Sequence, residues 1–173
     1  MNSAEALNAE QWIRSLNLQK HPEGGWFREA YRSEETVPQL GLPSRFDGDR
    51  RFSTAIYFLL KDAEFSALHR IRQDELWHFY AGGPLSIHVL GPDAGYTEIK
   101  LGRDIQAGET PMAVVRAGYL FGAALPDPRS YALVGCTVAP GFDFDDFELP
   151  GRSRLLEQYP QHRALIEKLT RAS

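Results

Sequence analysis

A chain of 173 residues is long enough to bury one core, and 43% hydrophobic and 24% charged residues are ordinary for a folded domain. The net charge of −4 argues against nucleic-acid or anionic-membrane partners, and no stretch approaches the roughly 20 apolar residues of a membrane span. Cys136 is alone, which excludes an internal disulfide, and no signal-peptide pattern opens the sequence. We therefore expect a cytoplasmic protein.

The elements predicted along the chain are mostly short strands. A helix over residues 4–16, with Ser3 or Asn8 as its N-cap, comes first. The paired glycines after Glu23 predict a turn, and a loop without periodicity follows over residues 33–49. Apolar alternation or continuous apolar runs predict strands over residues 26–32, 53–60, 65–71, from 75 onward, 85–90, 96–101, 112–116, 119–125 and 130–139. Helical spacing then predicts two helices over residues 154–159 and 160–171.

Strands of this length, with turns every 8 to 12 residues or so, predict an all-β sandwich or barrel. We expect a single domain over residues 1–173. It divides into an N-terminal helix over 1–16, a β-region over 17–149 and a helical tail over 150–173.

The stretch over residues 65–83 carries the most unusual chemistry. Alternation places His69 on the inner face of one predicted strand and Glu75 on the inner face of the next, beside aromatic residues. Burying an unpaired carboxylate costs roughly several kcal/mol, so Glu75 needs a partner. We expect the two strands to adjoin, with His69 and Glu75 in direct or one-water contact and facing a cavity.

The spacing His69-x-Ile71-x3-Glu75-x6-Gly82 resembles the first motif of the cupin superfamily, in which a second histidine stands where this chain has Ile71. The phrases over residues 21–26, 68–70, 74–80 and 138–149 resemble the fifth cupin family, a set of small proteins of largely unassigned function. The resemblance implies a cupin-type double-stranded β-helix, or jelly roll. Jelly-roll cupins pair as two-fold dimers, so we also expect a homodimer with residues 26–31 near the contact.

The resemblance to cupins also implies where a metal would bind. A second cupin motif normally supplies a further histidine, and Phe121 stands at that position here. Two of the family's four ligands are therefore replaced by Ile71 and Phe121, and any metal would rest on His69 and Glu75. We expect no resident cofactor, and less than half-occupancy by any transition metal after dialysis.

A looser similarity links the pattern to metal-free deoxysugar-nucleotide epimerases, which keep one Leu-His on the corresponding strand. That similarity implies that His69 is the base, and that Tyr57, Tyr119 or Tyr131 returns a proton. Arginines would bind a substrate diphosphate; the candidates are Arg28, Arg51, Arg70 and Arg116. The predicted pocket wall is aromatic and consists of Tyr57, Phe65, Trp77, Phe79, Tyr119 and Phe121.

Three functions remain open from the sequence. The first is metal-independent isomerisation or epimerisation of a sugar-like small molecule, with Glu75 orienting His69. The second is a metal-dependent cupin with a sparse site, and the third is a non-catalytic small-molecule-binding module. We interpret His21 and Glu23 as part of a turn that caps the barrel mouth, and residues 142–149 as a solvated strand edge.

Overall fold

The computed structural model describes residues 7–171, and within that span the chain forms twelve strands and three α-helices. The strands are β1 Gln19–Lys20, β2 Trp26–Arg32, β3 Thr36–Val37, β4 Arg50–Arg51, β5 Thr54–Lys61, β6 Phe65–His69, β7 Glu75–Gly82, β8 Leu85–Leu90, β9 Tyr96–Leu101, β10 Met112–Val115, β11 Leu120–Ala124 and β12 Tyr131–Val138. The helices are α1 Ala9–Ser15, α2 Arg152–Gln158 and α3 Arg163–Lys168.

Two antiparallel sheets make the sandwich. The larger has the order β1-β2-β5-β12-β7-β10, and the smaller has the order β6-β11-β8-β9; β3 and β4 pair separately. The main core lies between the two sheets, where Phe58, Trp77 and Val134 of the larger sheet meet Ile87 and Phe121 of the smaller. The prediction of a jelly roll with helices at both ends is confirmed.

The helices cover the outer faces of the two sheets. Asn8 caps α1 in a capping box with Gln11, and Ile13 packs on the outer face of the larger sheet. Helices α2 and α3 bury Leu155 and Ile166 against the outer face of the smaller sheet. The alternative cap Ser3 and the start of the predicted first helix lie outside the described residues.

The predicted pairing of the two central strands is wrong. Strand β6 pairs with β11 in the smaller sheet, whereas β7 pairs with β10 and β12 in the larger one. Residues 70–74 therefore carry the chain across the sandwich rather than around a hairpin. His69 and Glu75 approach the interior from opposite sheets. The distance between neighbouring strands of one sheet therefore does not set the distance between these two side chains.

Within residues 7–171, no helix has the length and apolar character needed to cross a bilayer. The homodimer remains a prediction. Tyr31, at the end of the predicted contact strand, is 54% exposed.

Candidate functional site

A cavity of about 90 Å³ opens among strands of both sheets and the segment over residues 142–147. Its buried end carries Glu23, His69 and Glu75, while the exposed side chains of Glu29 and Arg32 mark its mouth. Most of the remaining wall is apolar and includes Phe27, Ile56, Phe58, Ile71, Val138, Phe142 and Phe147. The cavity thus combines titratable groups with a largely apolar lining, which is typical of small-molecule sites.

His69 is the last residue of β6 and is only 3% exposed. Its Nδ1 lies 2.7 Å from the carbonyl oxygen of Ala67, and its Nε2 lies 3.1 Å from Oε2 of Glu23. Phe121, the register partner of His69 on β11, places its ring centroid 4.1 Å from the imidazole. The carboxylate within ion-pair distance of His69 is that of Glu23, and the expected direct contact with Glu75 is absent from the ion pairs of the described residues.

Glu23 comes from the turn between β1 and β2, which is fastened to β6. Its carbonyl oxygen accepts from the N–H of Ala67 at 2.8 Å, and its Oε1 accepts from the hydroxyl of Ser66 at 2.8 Å. Gly24 has φ +117°, and a Cβ there would lie 2.1 Å from the carbonyl oxygen of Phe65. Only glycine fits this approach, so the Gly24-Gly25 turn fixes the position of the Glu23 carboxyl.

Glu75 opens β7 and faces the same cavity from the larger sheet. Burial raises the pKa of the Glu75 carboxyl to about 7; the charge of His69 opposes this shift and that of Glu23 adds to it. Cys136 lines the cavity together with Glu75, and burial raises the pKa of its thiol well above its ordinary value. Cys136 is therefore a neutral neighbour of Glu75 rather than a nucleophile.

Three further titratable groups around the buried end of the cavity are also shifted towards their neutral forms. Burial raises the pKa of Glu23, and it lowers the pKa values of His69 and His21. His21 lies next to this set, with Nδ1 3.5 Å from Oε2 of Glu23. Two carboxyls and two imidazoles with perturbed pKa values in one cavity, beside the thiol of Cys136, mark it as the best candidate for a functional site.

The segment over residues 142–147 closes one side of the cavity. The backbone N–H of Phe142 donates to the hydroxyl of Thr54 at 2.9 Å, and the Arg32 guanidinium donates to the carbonyl oxygen of Phe142 at 3.3 Å. Asp146 is buried and Phe142 and Phe147 are partly buried, whereas Asp143, Phe144 and Asp145 are exposed. The interpretation of residues 142–149 as a solvated strand edge is wrong, because the segment forms a short 3₁₀ turn rather than a strand, with Asp146 buried and Phe142 and Phe147 lining the cavity.

The structure brings His69 and Glu75 to the cavity and places the other predicted site residues elsewhere. Trp77, Phe79, Tyr119 and Phe121 pack in the core between the sheets, with Phe121 next to the His69 ring. Tyr57 packs on the outer face of the larger sheet, and Phe65 packs against the C-terminal helices. The cavity lining does not include these six aromatic side chains.

The predicted arginines and the remaining tyrosine also lie away from the cavity. Arg28 lies over the ring of Tyr57, and Arg51 donates to the carbonyl oxygen of Glu34. Arg70 pairs with Glu148 and Arg116 with Asp74, and the hydroxyl of Tyr131 donates to the carbonyl oxygen of Leu7. The arginine at the cavity mouth is Arg32, which pairs with Glu29 at 2.7 Å.

Sequence reasoning missed Glu23 and Ser66 as parts of the site. Nothing in their local pattern points to His69, because the contact joins a turn near the N-terminus to a strand more than 40 residues later. The sequence feature that could have drawn attention to Glu23 itself is the segment over residues 21–26, in which Glu23 lies between a histidine and two glycines.

The donor set at this site does not fit a metal ion. Ile71 and Phe121, which stand where the cupin motifs have histidine ligands, are apolar and buried. Nε2 of His69 already faces Glu23. Among residues 7–171, no three or more His, Cys, Asp or Glu side chains are grouped so that they could hold a metal. A transition metal normally requires more ligands than His69 and Glu75 provide.

The antiparallel sandwich and its internal cavity define a cupin fold. Residues 10–150 match the model of the Cupin_5 family, described as Cupin superfamily (DUF985), and the chain belongs to this family. A Shewanella oneidensis protein of known crystal structure is 43% identical, with a TM-score of 0.87 over 96% of this chain and 99% of its own. A hypothetical protein from Leishmania major is 35% identical, with a TM-score of 0.87 over 96% and 100% of the two chains. An uncharacterized protein of Saccharomyces cerevisiae is 30% identical over 146 residues, which are 79% of this chain and 72% of the yeast protein.

Proposed function

We propose that this cupin is a metal-independent isomerase or epimerase that moves a proton at a carbon atom next to a carbonyl group. The observation that carries the proposal is the Glu75 carboxyl, which is buried in the cavity and has a pKa of about 7. A general base works best when its pKa lies near the operating pH, and burial supplies that shift here.

The opposite wall of the cavity supplies a second acid–base set. His69 belongs to β6 in the smaller sheet, and Glu23, from the β1–β2 turn, is hydrogen-bonded to that strand at Ser66 and Ala67, whereas Glu75 opens β7 in the larger sheet. Two groups on opposite walls can remove a proton from one face of a planar intermediate and return one to the other face. This arrangement supports epimerisation, or isomerisation when the returned proton goes to a neighbouring atom.

The size of the cavity limits the substrate. About 90 Å³ is well below the roughly 300 to 1,000 Å³ of pockets that enclose drug-sized ligands. We therefore propose a substrate no larger than a monosaccharide, with the Glu29–Arg32 pair at the mouth as its polar contact. A sugar-like body remains our proposal, but an enclosed nucleotide does not fit this volume.

The test is exchange of substrate C–H protons with solvent. Wild-type protein, without an affinity tag, is incubated in D₂O with a panel of three- to six-carbon aldoses and ketoses, and the proton next to each carbonyl is followed by ¹H NMR. Glu75→Gln should lower the exchange rate by roughly 100-fold, since it removes a positioned base. The matched control is His78→Gln, because His78 lies on the same strand but outside the cavity lining.

An unchanged rate in Glu75→Gln would contradict the proposed role of Glu75. Binding of panel compounds without exchange in the wild type would overturn the enzymatic proposal and favour the non-catalytic binding module.

A further inference from the structure

Each ring nitrogen of His69 has a polar neighbour. Nδ1 lies 2.7 Å from the carbonyl oxygen of Ala67, and a carbonyl oxygen only accepts, so Nδ1 carries a hydrogen and donates it. In the neutral imidazole Nε2 is then an acceptor, and it faces Oε2 of Glu23 at 3.1 Å.

The surroundings of Glu23 place a hydrogen on its Oε2 atom. The N–H of Glu23 donates to Nδ1 of His21 at 3.3 Å, so that nitrogen is also an acceptor, 3.5 Å from the same Oε2. In the neutral rings both nitrogens are acceptors, so the 3.1 Å approach of Oε2 to Nε2 of His69 requires a hydrogen on Oε2. The other oxygen, Oε1, instead accepts from the hydroxyl of Ser66. A doubly protonated His69 is disfavoured, because its side chain is buried and burial lowers its pKa.

Glu23 also borders the cavity that holds Glu75. We propose that Glu23 is a further catalytic residue, the acid that returns the proton to the substrate, and that His69 is the positioning residue that orients it. This inference rests on the proposed proton-transfer function and assigns its second acid–base group.

The proton balance of the step is complete without a cofactor. Glu75 takes the proton as the substrate C–H bond breaks, and the bonding electrons move to the carbonyl oxygen as an enolate. The O–H bond of Glu23 then breaks, and its proton goes to carbon from the other wall. Exchange with solvent removes the proton from Glu75 and restores the one on Glu23.

The contacts of Glu23 hold its carboxyl in one place. Its backbone bonds to Ala67, its Oε1 accepts from Ser66, and its Oε2 lies between two imidazoles. A catalytic group must be held close to its productive geometry, and these contacts provide that constraint from β6.

The first test needs no substrate. Long-range ¹H–¹⁵N NMR of uniformly labelled protein at neutral pH reports which ring nitrogen of His69 carries hydrogen. We expect a neutral ring with hydrogen on Nδ1, and we expect the same tautomer in Glu23→Gln, whose amide can donate to Nε2. The opposite tautomer, or an imidazolium, would overturn the inferred proton position.

The second test is the solvent-exchange assay on the same variants. Glu23→Gln should lose roughly 100-fold in rate, as expected for removal of a general acid. His69→Gln should lose about tenfold, as for a residue that supports another group, and should keep the pH–rate profile set by Glu23. Full activity in Glu23→Gln together with an inactive His69→Gln would assign the acid to His69 and overturn the inference. If the wild type shows no exchange, the proposed function fails, and the NMR result still decides where the proton lies.

Discussion

Arg50 and Asp146 form a buried two-point ion pair that holds the cavity wall in place. Nε and Nη2 of Arg50 donate to the two carboxylate oxygens at 2.7 and 2.6 Å, and the two side chains are 5% and 0% exposed. Gln73 adds hydrogen bonds to Asp146 at 2.7 Å and to the carbonyl oxygen of Gly141 at 3.2 Å. The segment over residues 142–147 is therefore anchored at Asp146, next in sequence to Phe147, whose ring lines the cavity.

Removing the carboxylate of this pair should strongly destabilise the protein. Asp146→Ala leaves the Arg50 guanidinium buried without its counter-ion, and we expect a loss of about 3 to 5 kcal/mol in the free energy of unfolding. Urea unfolding measures the loss. Arg163→Ala is the control, because it breaks an ion pair with Glu167 in which both side chains are about half exposed or more. It should change stability by no more than about 1 kcal/mol, and similar losses in both variants would contradict our account.

Gly24→Ala should displace the turn that carries Glu23. The added Cβ would lie 2.1 Å from the carbonyl oxygen of Phe65, on a backbone with φ +117°. Gly108→Ala is the matched control, since Gly108 also has a positive φ, +78°, but open space around its Cβ position. The free energy of unfolding of the control variant should fall by about 1 to 2 kcal/mol from backbone strain alone.

We expect a clearly larger loss for Gly24→Ala in urea unfolding, together with a changed ¹⁵N shift at Nε2 of His69. Equal losses in the two variants, or an unchanged nitrogen shift, would show that the turn does not depend on this close approach.

The sequence predicts the fold well because the jelly roll depends on local signals. Alternation and glycine turns indicate an all-β sandwich or barrel with an inward histidine and carboxylate, and the resemblance of residues 69–82 to the first cupin motif implies the jelly roll. The site is predicted only in part. The change of sheet between β6 and β7 has no local signature, since a polar break of this length also fits a hairpin. The contact between Glu23 and His69 depends on how a distant turn meets β6, and no pattern near either residue encodes that meeting.

The sequence pattern also does not show which aromatic residues line the cavity. Period-two alternation assigns Trp77 and Phe121 to the interior, but it does not distinguish core from cavity wall. Phe142 and Phe147 line the cavity because the Arg50–Asp146 pair turns their segment inward, and that pair joins positions nearly a hundred residues apart.

We predict that purified, untagged protein binds transition metals weakly. His69 and Glu75 would leave most of a coordination sphere to water, and Nε2 of His69 is already engaged with Glu23. After loading with zinc, iron or nickel and then dialysis, elemental analysis should give less than half an equivalent per chain. About one equivalent per chain of any of these metals would contradict this prediction and the metal-independent mechanism with it.

The buried Glu75 carboxyl should make stability depend on pH in a predictable direction. Its pKa rises from 4.5 to about 7 on folding, so the native state binds its proton more tightly than the unfolded state. The stabilising contribution of the neutral carboxyl is present below about pH 4.5 and is lost as the pH rises through 7. A shift of about 2.5 pKa units corresponds to about 3 kcal/mol.

Glu75→Gln removes this titration, while the opposing shifts of His69 and His21 remain in both proteins and largely cancel in the comparison. The free energy of unfolding of the variant, relative to wild type, should therefore rise by about 3 kcal/mol between about pH 4 and pH 8. Urea unfolding at a series of pH values measures the difference. The control is Glu157→Gln, on an exposed position of α2, whose difference from wild type should stay nearly constant with pH. A constant difference for Glu75→Gln as well would show that Glu75 is not held in its neutral form by the fold, and the proposed base would lose its physical support.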